Sequence, residues 1–139
     1  IDDQTAGVFE NAIIEFLRFY QPSIIEFFDN FNDAKYLYDT LIVKLMDIGN
    51  IDVKVTKSQI AVSRVKAFAW VWIPGKYLRG KTAPLVLTIA LPYRDPSPRW
   101  KEVVEPAAGH FTHHLELFTN ADIDSEVSDW LRTAWEQAG

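Results

Sequence analysis

The 139-residue sequence predicts one α+β domain: N-terminal helices, a curved, mainly antiparallel sheet of about five strands, and a C-terminal helix. Three observations carry that prediction. Apolar residues before position 49 and after position 122 recur at three-to-four spacing, the period of a helix with one buried face. Between those positions the apolar runs are short and either alternate or are apolar throughout, as in half-buried and central strands. The connections between runs are short and turn-rich, which suits antiparallel neighbours.

The elements follow in order. Between Val8 and Tyr20, the residues Phe9, Ile13, Phe16, Leu17 and Tyr20 form one helical stripe. Pro22 interrupts it and opens a short second helix, "SIIEFFDNF", since proline is tolerated at a first helical position. Asn32 or Asp33 is placed to cap a third helix with Leu37, Leu41, Ile42 and Leu45 inward, and Gly49 is its natural stop. The strands are "IDVKVTK", "QIAVSRV", "AFAWVWI", "PLVLTIAL" and "FTHHLELF". In the third, Trp70 and Trp72 share a face with Phe68 and are expected to pack in the core against helices. A last helix runs from about Asp122 with Ile123, Val127, Leu131 and Ala134 as its stripe. Residues 33–139 make the α+β core and residues 1–32 a helical extension of the same single domain.

Composition removes several function classes. The chain has no cysteine, which excludes disulfide scaffolds, thiol nucleophiles and cysteine-ligated zinc sites, and suits a reducing compartment. No apolar run reaches the ~20 residues of a membrane span, and "IDDQTAGVF" lacks the basic and apolar regions of a secretory signal. The expectation is a cytoplasmic protein with no membrane partner. The net charge of −5 is unevenly spread. Residues 54–101 hold ten Lys or Arg against the single acid Asp95, a charge of +9, while the remainder holds four bases and eighteen acids, −14.

Two basic loops interrupt the strands. "PGKYLRGKTAP" carries Lys76, Arg79 and Lys81, and "RDPSPRWK" carries Arg94, Arg99 and Lys101. Such loops can hold phosphate or carboxylate groups, and Tyr77 and Trp100 are placed to stack on a ring; solvated turns with Trp100 plugging the core are the plainer account. Gly75 to Thr82 literally fits the P-loop spacing, but a β-run follows instead of a helix, so no nucleotide-hydrolysing site is expected. His113 and His114 are adjacent and point to opposite faces of a strand, so they cannot share a metal. His113 is expected in the core, while His114 shares a face with Thr112 and Glu116, and His114 with Glu116 makes either two ligands of a metal that lacks a third or an acid–base pair. Ser58, Ser63 and Ser97 lie in no nucleophile-elbow motif.

"VTKSQIA", "FAWVWIP", "APLVLTIALP", "RDPSPRWKEVVEP", "THHLEL" and "ADIDSEVSDWLRTAW" together resemble an uncharacterised bacterial domain family over roughly residues 33–139. The resemblance implies small cytosolic proteins or C-terminal modules of larger chains. Some relatives are labelled "predicted transport protein", and some accompany nuclease or restriction-type domains. It brings no active site with it.

The leading functional expectation is a non-enzymatic module whose basic sheet-and-loop surface binds an anionic small molecule or nucleic acid. Its candidate residues are Lys57, Arg64, Arg94, Arg99 and Lys101, with Trp100 and His114 nearby; no catalytic residue, metal or cofactor is assigned. Pro96 and Pro98 should rigidify the second loop and set Arg99 and Lys101 beside Lys57 or Arg64. The acidic total disfavours unspecific coating of DNA. One alternative is an enzyme using His114 and Glu116 for proton transfer, and another is a structural or assembly domain. The apolar surplus between Val8 and Phe31 further predicts a homodimer, unless the second helix covers it within one chain.

Overall fold

The structure is a computed structural model that describes residues 22–139. Two helices, α1 (Pro22–Phe27) and α2 (Asn32–Ile48), lead into six strands, and helix α3 (Ser125–Gln137) closes the chain. The strands are β1 (Asp52–Val55), β2 (Ile60–Ser63), β3 (Ala67–Trp72), β4 (Leu85–Leu91), β5 (Glu102–Ala107) and β6 (His110–Leu117). They form one open sheet in the order β1-β2-β3-β4-β6-β5, antiparallel throughout. The architecture is the α+β arrangement that the sequence predicts. The expected helix over Val8–Tyr20 lies outside the described residues.

Each helix is aimed by its apolar stripe. Helix α2 buries Ala34, Leu37, Tyr38, Leu41, Ile42 and Leu45 and leaves Tyr36, Val43 and Met46 exposed. Its N-cap is Phe31, without a side-chain cap, rather than Asn32 or Asp33. Just before it, Asn30 takes a left-handed φ of 67°, a conformation that asparagine tolerates better than most residues. At the other end the Gly49 N–H donates to Leu45 O at 3.3 Å. A Cβ on Gly49 would overlap the Trp135 indole, so α3 can approach only because this position is glycine. Helix α3 starts at Asp124, whose carboxylate accepts from the Val127 N–H at 3.1 Å. At the chain end Ala138 O accepts from both Val65 and Lys66, tying the β2–β3 turn to the C-terminus.

The register separates two sheet faces. Ile60, Val62, Ala69, Val71, Leu85, Leu87, Ile89, Leu115 and Leu117 face α2 and α3 and are buried. Burying each such aliphatic side chain is worth about 1.5–3 kcal/mol, which makes this layer the main source of stability. Ile24, Phe27 and Phe28 also belong to this core, so α1 is covered within the chain, while Ile25 stays exposed.

Two sheet features depart from expectation. A register slip between Val62 and Ser63 leaves Phe68 as the extra residue on β3. The bulge turns Phe68 into the core, where it shares a small cavity with Ala134 and Ala138. Trp70 and Trp72 therefore do not share its face: they lie half-buried on the side that none of the described helices covers. The second departure is β5. Its sequence carries Glu102, Glu105 and Pro106, and only Val103 packs against the core. Proline lacks the ladder N–H, and the β5–β6 register slips between Val104 and Ala107, around Pro106. An edge strand needs neither alternation nor burial, so the pattern that marks the other strands is missing here. Among the described residues no helix is long and apolar enough to cross a membrane.

Candidate functional site

The stretch "DPSPRWKEV" turns out to be an internal lock. The Asp95 carboxylate accepts from Ser97 N–H at 3.0 Å, from Trp100 Nε1 at 3.0 Å and from Trp130 Nε1 at 3.3 Å. Its own N–H donates to His113 Nε2 at 2.9 Å. His113 Nδ1 lies 3.2 Å from Phe111 O, so Nδ1 carries the proton and the buried ring is a fully bonded neutral imidazole. Burial pushes the His113 pKa below its ordinary value, against smaller opposing hydrogen bonds. The Trp100 ring packs 4.1 Å from Trp130 and 4.8 Å from His113. Asp95 thus joins the β4–β5 loop and α3 through its carboxylate and β6 through its backbone N–H.

Arg99 completes the lock from outside. Its NH1 meets Asp124 at 3.0 Å and Glu126 at 2.8 Å, and NH2 donates to Asp122 O at 2.9 Å. The Glu126 hydrogen bond raises the Arg99 pKa above its ordinary value. For Asp124, burial alone would raise the pKa; the hydrogen bonds from Val127 and Arg99 outweigh it and hold the carboxyl below its ordinary value.

The expected common basic patch does not form. Arg64 lies 3.7 Å over the Trp135 ring, near the C-terminus of α3, while Arg99 grips its N-terminus. A 13-residue helix separates them by about 20 Å. Arg94 donates to Val103 O at 3.5 Å and sits 5.5 Å over the Phe111 ring. Trp100 is buried. Lys57 lies in the β1–β2 turn, where Tyr77 OH donates to its carbonyl at 3.5 Å. Lys101 is at the far side of the sheet, 3.9 Å from Glu116. Of the seven predicted residues, Lys101 and His114 border the open face, Lys57 lies in a hollow beside α1 with Glu26, Phe27 and Lys76, and Arg64, Arg94, Arg99 and Trp100 serve the fold. The first basic loop divides in the same way: Lys76 lies 3.9 Å over the Phe27 ring and donates to Phe27 O, and burial lowers its pKa. Gly75 to Thr82 leads into β4 with no helix after it, as its sequence context predicts.

The open face carries what the basic loops do not. Across all six strands the register aligns Lys54, Ala61, Trp70, Thr88, His114 and Glu102 in one row. Five inter-strand gaps give it a length of about 24 Å. The neighbouring row holds Trp72, Val86 and Glu116. On this face lies a groove of about 380 Å³, lined by Ser58, Gln59, Trp70, Trp72, Tyr77, Thr88, Thr112 and His114. Tyr77 is 6.5 Å from Trp72 with the rings tilted by 41°, closing one end with a second aromatic wall. Thr88 Oγ1 and His114 Nδ1 are 2.7 Å apart, which leaves Nε2 of His114 for an occupant. His113 and His114 do point to opposite faces, as alternation requires. The residues that sequence reasoning passed over are Trp70, Trp72 and Thr88. A signal existed: Thr88 is the one hydroxyl in "LVLTIAL", and Thr112, His114 and Glu116 alternate on β6, both marks of an uncovered face.

Residues 26–138 match the family described as a domain of unknown function, DUF5655. The chain belongs to this family. The match begins in α1, earlier than the resemblance starting near residue 33, and so takes in part of the segment whose Phe27 and Phe28 enter the core. No curated protein and no solved structure matches the chain. The DUF5655 domain therefore includes both the lock and the open aromatic face.

Proposed function

We propose that this DUF5655 domain is a non-enzymatic binding module whose open sheet face takes a ring-bearing anionic ligand. The observation that carries this reading is the placement of Trp70 and Trp72 on a face that none of the described helices covers, beside Tyr77 and the Thr88–His114 pair. Exposed indole area is costly in water, and a concave aromatic surface with a few polar groups is the usual form of a small-molecule site. Lys54 at one edge supplies positive charge, while Lys101 at the other is paired with Glu116. The cysteine-free composition suits a cytoplasmic setting.

Proton transfer by His114 and Glu116 is the rival reading. The two residues lie two positions apart on one strand face, about 7 Å along the strand, and Glu116 turns toward Lys101. A thermal-shift screen of aromatic anions against their aliphatic analogues tests the proposal, because a ligand raises Tm only if it binds the folded state. The expected result is a shift with aromatic anions that Trp70→Ala abolishes and Arg99→Ala preserves. A response confined to aliphatic anions, or one lost in Arg99→Ala alone, sinks the proposal.

The homodimer stays part of the reading. Ile25 and the outward residues Tyr36, Val43 and Met46 of α2 leave apolar surface that a second copy can cover.

A further inference from the structure

The row across the open face is electrically polar, and it is polar in the same direction as one common ligand class. At the β1–β2 end, Lys54 is exposed and makes no ion pair among the described residues. At the β5–β6 end, Glu102 and Glu116 face the same side, and Lys101, 3.9 Å from Glu116, offsets only one of the two carboxylates. Between the charged ends stand the Trp70 ring and then His114. Ala61, the residue between Lys54 and Trp70 in the row, is short and leaves a path from the ring to the lysine.

We infer that the occupant is a nucleotide unit, with its base over Trp70 and Trp72, its phosphate toward Lys54, and its base edge toward His114 and Glu116. This deepens the binding reading above and rests on it. A nucleobase stacks on aromatic side chains whatever its sequence, and Trp70 and Trp72, two residues apart on one strand, stand about 6.6 Å apart along it. A groove of about 380 Å³ suits one such unit. If the Thr88 hydroxyl donates to Nδ1, His114 presents an Nε2–H donor to a base acceptor, while the Glu116 carboxylate accepts from an exocyclic amine. The carboxylates repel a phosphate from that end and so set the orientation. The unit can be a free nucleotide or one nucleotide of a single strand.

The test is calorimetric titration of the full chain with AMP, adenosine, ribose 5-phosphate, indole-3-carboxylate and a short oligodeoxyadenylate. Stacking and phosphate contacts together should make AMP bind at least about fivefold more tightly than adenosine or ribose 5-phosphate. Lys54→Ala should erase the advantage over adenosine, and Trp70→Ala should weaken both ligands while circular dichroism stays native. An oligodeoxyadenylate that binds more tightly than AMP, and falls off more steeply with salt, identifies the strand as the source; equal affinity identifies the free nucleotide. Ribose 5-phosphate matching AMP, or an AMP advantage that survives Lys54→Ala, overturns the inference. Binding of indole-3-carboxylate through Trp70 with no binding of AMP or oligonucleotide removes the nucleotide but leaves the aromatic-anion site. If no aromatic anion binds, both fall.

Discussion

Trp100 and Trp130 sit in the lock beside α3, Trp70 and Trp72 sit on the opposite side of the sheet, and the two pairs are handled in opposite ways. The first pair is almost fully buried, and both indole N–H groups donate to the one carboxylate of Asp95. The second pair is half-buried, and no hydrogen bond reaches its N–H groups among the described residues. A buried tryptophan with its polar edge satisfied holds a fold together; a tryptophan with an open ring and a free N–H is a surface waiting for a partner. The charged residues divide along the same line. Arg99 and Arg64 are committed to α3, whereas Lys54 makes no ion pair among the described residues.

The largest expected effect breaks the comparison from the locked side. Trp100→Ala should cost about 3–5 kcal/mol in urea unfolding, whereas Trp70→Ala, on the half-buried face, should cost about half of that or less. Equal losses would mean that both pairs are structural. Next comes Asp95→Ala. Two indole N–H groups and the Ser97 turn lose a charged acceptor together, and about 3 kcal/mol of stability should go with it. Ligand affinity of the surviving folded protein should hardly change.

His113 sharpens the comparison with pH. Its folded pKa is depressed, so the unfolded state takes up a proton first as pH falls. Stability is therefore complete above about pH 6.5 and declines below it, toward the folded pKa. A second loss follows at more acid pH, when Asp124 is protonated through its own lowered pKa. His113→Gln should flatten the urea-midpoint profile between about pH 7 and 5, and an unchanged slope would place the titrating group elsewhere. The smallest expected effect concerns association. Sedimentation at micromolar concentration should show a dimer, and Tyr36→Lys should shift it toward a species near 15.9 kDa. A single species near that mass in the parent chain removes the homodimer.

Most of the fold was legible because burial imposes a period. Five strands, the two long helices and the opposed directions of His113 and His114 all follow from alternation or three-to-four spacing. β5 was illegible because an edge strand with Glu102, Glu105 and Pro106 buries almost nothing. The Phe68 bulge hid the fate of Trp70 and Trp72, since one inserted residue reverses which face a run serves. The lock could not be read either. Asp95 meets Trp130, and Arg99 meets Glu126, across 35 and 27 residues of chain, and no local pattern announces such pairs. Arg99 and Lys101 look equivalent in sequence; only the position of Asp124 and Glu126 makes one structural and leaves the other at the rim.

The most direct measurement follows the tryptophan indole N–H signals by proton–nitrogen NMR during titration with the aromatic anions. Without ligand, the Trp100 and Trp130 N–H groups should exchange slowly with solvent, and those of Trp70 and Trp72 quickly. On titration the Trp70 and Trp72 signals should move, and those of Trp100 and Trp130 should stay in place. Shifts at Trp100 and Trp130 alone, or none at Trp70 and Trp72 with any aromatic anion, would contradict the account.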